Sequence, residues 1–165
     1  MIVPALELDP VVEEFRQRHD PSARAGVPPH VTLMYPFLAP DRLSSQVLTE
    51  LDMLLEDVHA FEYSLTDVGE FGGGVLYLAP APAEPFISLT ERVGRAFDLA
   101  PYGGVHATVV PHLTITQAAT AFERLDIARV LWRALPQPAI ALEAWVMAGS
   151  NETVWTRLKT ISFRR

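Results

Sequence analysis

The sequence predicts an α+β fold: a single domain over residues 1–165, built as two pseudo-duplicated antiparallel sheets with outer helices and a central groove. Three observations lead there. Helical and strand-like hydrophobic periods alternate along the chain. The strand-like segments fall in pairs joined by turn-rich stretches. Finally, "PHVTL" at residues 29–33 returns as "PHLTI" at 111–115, an offset close to half of the 165 residues. Alternation alone also suits a parallel α/β sheet, but the hairpin signals and the two similar halves favour the antiparallel arrangement.

Residues 2–8, "IVPALEL", read as an opening strand. Asp9-Pro10 then supplies a cap and a first-turn proline for a helix through "VVEEFRQRH". A second helix is expected from Asp41, with Leu43, Val47, Leu51, Leu54 and Val58 on one face. "FEYSLTDV" and "GVLYLAP" read as strands joined by "GEFGGG". A third helix opens near Glu84-Pro85 and carries Phe86, Leu89, Val93 and Phe97. Thr120, with Glu123 three residues on, has the pattern of a capping box for a fourth helix to about Leu135. "AIALEAWVMAG" and "TVWTRLKTISF" close the chain as a hairpin across Gly149-Ser150-Asn151.

Composition limits the function. The chain is 49% hydrophobic, enough for a substantial core, and lacks cysteine, so disulfides, thiolate metal sites and a cysteine nucleophile are out. No apolar run is long enough to span a bilayer, and "MIVPALELDP" has no basic region of the kind that opens a secretory signal. The expectation is a cytoplasmic, monomeric protein without a membrane partner. A formal charge of −7, with 13 basic residues and no basic cluster beyond Arg164-Arg165, argues against long duplex nucleic acid. A small phosphate-bearing ligand held by a few donors stays open.

The repeated motif carries the chemistry. In a strand, residues i and i+2 point to one side, so His30 shares a face with Thr32, and His112 with Thr114 and Thr116. Val31, Leu33, Leu113 and Ile115 line the opposite, core-facing sides. Two such strands facing each other bring two imidazoles and two hydroxyls onto one small volume. A neutral imidazole takes a proton, a protonated one gives it back, and hydroxyls donate to phosphate oxygens, with no metal required. Five histidines and 11 threonines predict about a third of one His-x-Thr by chance, and the chain has three. The third, His106-Ala107-Thr108, has the same strand parity as His112 but lacks the preceding proline, so context favours His112.

These residues resemble the two-histidine (2H) phosphoesterase superfamily, in its 2′-5′ RNA ligase-like and cyclic phosphodiesterase branch. "PPHVTLMYPF", "VVPHLTI" and the connecting "VGEFGGGVLYLAP" carry the likeness, which covers most of the chain. The resemblance implies His30 and His112 as an acid–base pair, Thr32 and Thr114 as phosphate ligands, and no cofactor. It implies metal-independent action on a 2′,3′-cyclic phosphate or a 2′-5′ linkage, with a small nucleotide cyclic phosphate or a short RNA end as partner. Two other readings stand beside it. One is a nucleotide- or RNA-end-binding module without turnover; the other is a zinc hydrolase using His30, His106, His112 and Glu143.

Other residues are expected to be structural. Phe71 reads as a turn aromatic rather than a base-stacking platform, Tyr35 as core, and Arg24 as a solvated loop cation. His19 and His59 fall at helix ends. Arg157 and Lys159 share a face with Trp155 by alternation, as a modest basic edge or a guard against strand pairing.

Overall fold

The computed structural model describes residues 1–106, 108–150 and 153–165. In its first half the elements are β1 (Ile2–Pro4), α1 (Asp9–His19), α2 (Pro21–Arg24), β2 (His30–Thr32), α3 (Ser45–Leu55), β3 (Phe61–Phe71) and β4 (Val75–Ala81). There follow α4 (Glu84–Phe97), β5 (Leu113–Thr116), α5 (Ala121–Ala134), β6 (Gln137–Ala141), β7 (Glu143–Ser150) and β8 (Thr153–Ser162). The strands make two antiparallel four-stranded sheets, ordered β2-β1-β7-β8 and β5-β4-β3-β6. This is the expected α+β, bilobal architecture. Each His-x-Thr lies at an edge: His30 begins β2, and His112 immediately precedes β5.

Local chemistry explains where the helices start. Pro10 occupies the first turn of α1, where a missing N–H costs nothing. The Ser44 hydroxyl accepts from the Val47 N–H to open α3. The capping box of α5 is complete: Thr120 Oγ1 accepts from Glu123 N–H, and the Glu123 carboxylate accepts from Thr120 N–H at 2.7 Å.

One apolar core unites the lobes. Val3, Val31, Ala144, Val146 and Ile161 of the first sheet join Tyr63, Leu65, Leu78, Leu113, Ile115 and Ala141 of the second. Leu51 and Leu55 of α3, Phe86 and Val93 of α4, and Ile127 and Leu131 of α5 complete it. A separate small cluster, Ile2, Val27 and Trp145 with Met147 and Trp155 against it, covers the other face of the first sheet.

Three expectations need correction. The opening strand stops at Pro4, and Leu6–Leu8 form a 3-10 turn. Asp41 belongs to a 3-10 turn over Pro40–Arg42, and the second long helix starts four residues later, at Ser45, where a serine can cap it. Most consequentially, residues 139–149 are not one strand. β6 pairs with β3 in the second sheet, whereas β7 pairs with β1 and β8 in the first, so the chain changes sheets at Leu142. The closing β7–β8 hairpin forms as expected, although Asn151 of its turn lies outside the described residues.

Candidate active site

The proline before each histidine has a physical role. A residue preceding proline is driven into extended conformation. In each copy the carbonyl two residues before the histidine accepts from the imidazole: His30 Nδ1 donates to Pro28 O, and His112 Nδ1 to Val110 O, both at 2.7 Å. A carbonyl can only accept, so the proton sits on Nδ1 and Nε2 keeps its lone pair in both neutral rings. The two motifs thus share the orienting bond as well as the sequence.

Burial holds both rings neutral. It lowers the His30 imidazole from its ordinary 6.5 to about 4, with the Arg16 guanidinium adding to the effect and the Pro28 bond and Asp20 opposing it. Burial also lowers His112; the Val110 bond opposes this, and His106 contributes a smaller push down. Both rings remain half-buried, so each keeps one side accessible.

The edges carrying the motifs lie against each other, since β2 and β5 adjoin across the gap between the sheets. The end of α1 fastens this junction. The His19 carbonyl accepts from Gln117 and Ala118 N–H groups, just past β5, at 2.8 and 3.1 Å. Beside it, Asp20 is fully buried and paired with Arg16, itself 1% exposed, at 2.9 Å. Asp20 also accepts from Ser22 and Gln117, while Arg16 donates to the Val27 carbonyl three residues before His30.

Tyr102, which the sequence reading passed over, borders both motifs. Its phenol lies close enough to Thr32 for that hydroxyl to offset part of the rise that burial imposes on the phenol's pKa, and its ring stands 6.5 Å from that of His112 and 5.6 Å from that of His106. It adopts φ 54°, ψ 32°, a left-handed conformation costly for a tyrosine. A 2.6 Å bond from its N–H to the Tyr35 carbonyl helps hold it there. A lone Tyr before Gly-Gly gives no sequence signal for such a position.

On the second sheet, Thr114 lies opposite Tyr77, and Tyr77 lies opposite Gly69. A Cβ at Gly69 would sit 2.3 Å from the Tyr77 ring, so glycine is what lets that ring lie across the strand. Phe71 stacks on Tyr77 at 4.1 Å and meets His112 edge-on at 4.8 Å. Phe71, expected as an ordinary turn aromatic, is therefore also a neighbour of His112. Tyr35 is likewise not core: it is 49% exposed, packed between Tyr102 and Trp155. His106 is exposed at the rim and lacks the orienting carbonyl bond of the other two. Arg24 donates to the Gln17 and Arg18 carbonyls, finishing α1. Among the described residues, no three His, Asp or Glu side chains gather as a group able to hold a metal ion, and Glu143 instead accepts from the Trp145 indole.

Comparison with known proteins bears on the family and the fold. The family model of the 2′-5′ RNA ligase superfamily matches residues 4–151. A Bacillus cytotoxicus protein named "Putative phosphoesterase" is 30% identical over 129 residues, covering 77% of this chain and 73% of its own. A Bacillus licheniformis protein of the same description is 28% identical over 131 residues, covering 77% and 74%. The apo crystal structure of Escherichia coli LigT superposes with a TM-score of 0.62 over 99% of this chain and 95% of that one, at 20% identity. Its 3′-AMP complex gives 0.59 over the same spans. These structural matches speak for the fold. No described helix is long and apolar enough to cross a membrane.

Proposed function

The chain belongs to the 2′-5′ RNA ligase superfamily, the two-histidine phosphoesterases, and from that premise we propose that it is a metal-independent phosphodiesterase. Its substrate is a nucleotide 2′,3′-cyclic phosphate at a short RNA end, or the related 2′-5′ linkage. One imidazole Nε2 takes the proton of the attacking water as the new P–O bond forms. The other gives a proton to the departing ribose oxygen as the old P–O bond breaks, leaving a phosphomonoester. Thr32 and Thr114 donate to the non-bridging oxygens, whose charge grows in the transition state.

The observation that supports this reading best is the shared Nδ1-to-carbonyl bond of His30 and His112 on adjoining edge strands. It leaves each ring a free Nε2 of defined tautomer. The similarity to LigT, solved with 3′-AMP and with ATP, supports a nucleotide ligand. The test is incubation of the purified chain with adenosine 2′,3′-cyclic phosphate in excess EDTA. Conversion to a single phosphomonoester, resolved chromatographically, is expected. Tight binding without product would leave a binding module, and neither binding nor product would end the nucleotide reading.

Tyr102 adds a second expectation. Tyr102→Phe keeps the ring beside His112 but removes the hydroxyl that faces Thr32. Losing a neutral polar interaction of about 1 kcal/mol in the transition state corresponds to a roughly fivefold lower kcat/KM. Steady-state kinetics with an unchanged circular dichroism spectrum would bear this out; an undiminished rate would release Thr32 from any dependence on Tyr102.

A further inference from the structure

Antiparallel register carries the face of His30 and Thr32 across the first sheet. Thr32 lies opposite Ile2, and Ile2 opposite Trp145, so all three project on one side. Trp145 is thus two strand spacings from Thr32, roughly 10 Å. The guanidinium of Arg157 lies over its indole, 4.3 Å from the ring centroid.

The β8 strand places Arg157 there through an irregularity. Simple alternation puts Arg157 and Lys159 on the same face, but the pairing slips between Val146–Lys159 and Met147–Arg157. Lys159 therefore turns to the helix side and pairs with Asp52 of α3 at 2.7 Å, while Arg157 lies on the Trp145 side of the sheet, opposite Met147. Among the described residues seven basic side chains pair with a carboxylate, and Arg157 has no such partner. Beneath it, Trp145 is 8% exposed, and Glu143 accepts from its indole N–H at 2.6 Å, which fixes the ring. An exposed guanidinium here lies over a buried, anchored indole, with no carboxylate partner among the described residues.

Resting on the nucleotide reading above, we propose that Arg157 on its Trp145 shelf is a second anion subsite, which takes a phosphodiester or terminal phosphate one nucleotide removed from the phosphate at the histidines. The substrate class is then a strand of at least two nucleotides, and a lone nucleoside cyclic phosphate occupies only half of the groove. A guanidinium fork suits the two non-bridging oxygens of such a phosphate.

Calorimetry on the full chain tests this with two ligands: adenosine 3′-monophosphate, and the dinucleotide ApAp, which adds one nucleoside and one bridging phosphate. Wild type is expected to bind ApAp at least tenfold more tightly. That ratio should fall to within about twofold in Arg157→Ala and be partly retained in Arg157→Lys, and the salt slope for ApAp should lose about 0.7 in Arg157→Ala. Equal affinity of wild type for the two ligands overturns the subsite while leaving the nucleotide reading intact. So does an ApAp preference that survives Arg157→Ala. Failure of wild type to bind either ligand overturns both.

Discussion

Replacing either His30 or His112 with alanine is expected to lower turnover of a nucleoside 2′,3′-cyclic phosphate by about 10² to 10⁴, the usual worth of a positioned acid or base. The double variant should be little worse than the poorer single one, because the two rings act on one proton inventory and their losses do not add. Each variant should fold, since both rings are half-buried and neither belongs to the apolar core. The pH profile carries a further consequence. Near pH 7 both free-enzyme imidazoles are neutral, because His30 is held at about 4 and His112 is also lowered. The proposed mechanism needs one neutral and one protonated ring, so kcat/KM should rise as pH falls below neutrality and turn down again near pH 4. Stability follows the same groups with its own sign. A histidine whose folded pKa is depressed stabilises fully above 6.5, and that contribution is lost as pH falls toward 4. His30→Gln should therefore flatten the loss of stability between pH 6.5 and 4, read from urea midpoints. Folded single variants with undiminished turnover would end the two-histidine mechanism.

How much of this was visible in the sequence depended on how local the signal was. The capping box at Thr120, the first-turn proline of α1 and the alternation within "HVT" and "HLT" are set within a few residues, and all appear as read. The break at Leu142 was hidden because residues 137–141 and 143–150 are both apolar and strand-like; only their partners, β3 and β1, separate them. The slip in β8 was hidden for a similar reason, since a bulge is defined by the opposing strand and leaves no mark on its own hydrophobic pattern. Strict period-two reading consequently put Lys159 beside Arg157. Tyr35 failed through a different cause: it lies beyond the last residue of β2, where strand parity no longer applies. In the proposed site, the histidines and threonines stand out in the sequence by their repetition. The groups that orient them were not, because Tyr102, Arg16 and Asp20 reach the motifs through space from 70, 14 and 10 residues away in sequence.

The Arg16–Asp20 pair carries the largest expected effect on stability. Asp20 Oδ2 accepts from Arg16 Nε at 3.2 Å and Nη2 at 2.9 Å, and both side chains are shut off from solvent. Removing one member of such a pair leaves a buried charge without its counterpart, which typically costs about 3 to 5 kcal/mol. Asp20→Ala also strips the N-terminal cap of α2 from Ser22 N–H and the link to Gln117 past β5. Against a total stability of about 5–15 kcal/mol for a domain, chemical denaturation should place this variant near the edge of folding. Arg16→Met combined with Asp20→Leu removes both charges and keeps apolar volume, so it should recover much of the loss. The coupling energy of the double-mutant cycle then separates the ion pair from the cap. His30 supplies an independent readout. Arg16 pushes its imidazole down and Asp20 pushes it up. Arg16→Met, wherever it folds, should therefore move the acid limb of the pH–rate profile toward neutrality. A cycle with no coupling, together with an unmoved acid limb, would mean that the buried pair neither holds the junction of the two sheets nor tunes the histidine beside it.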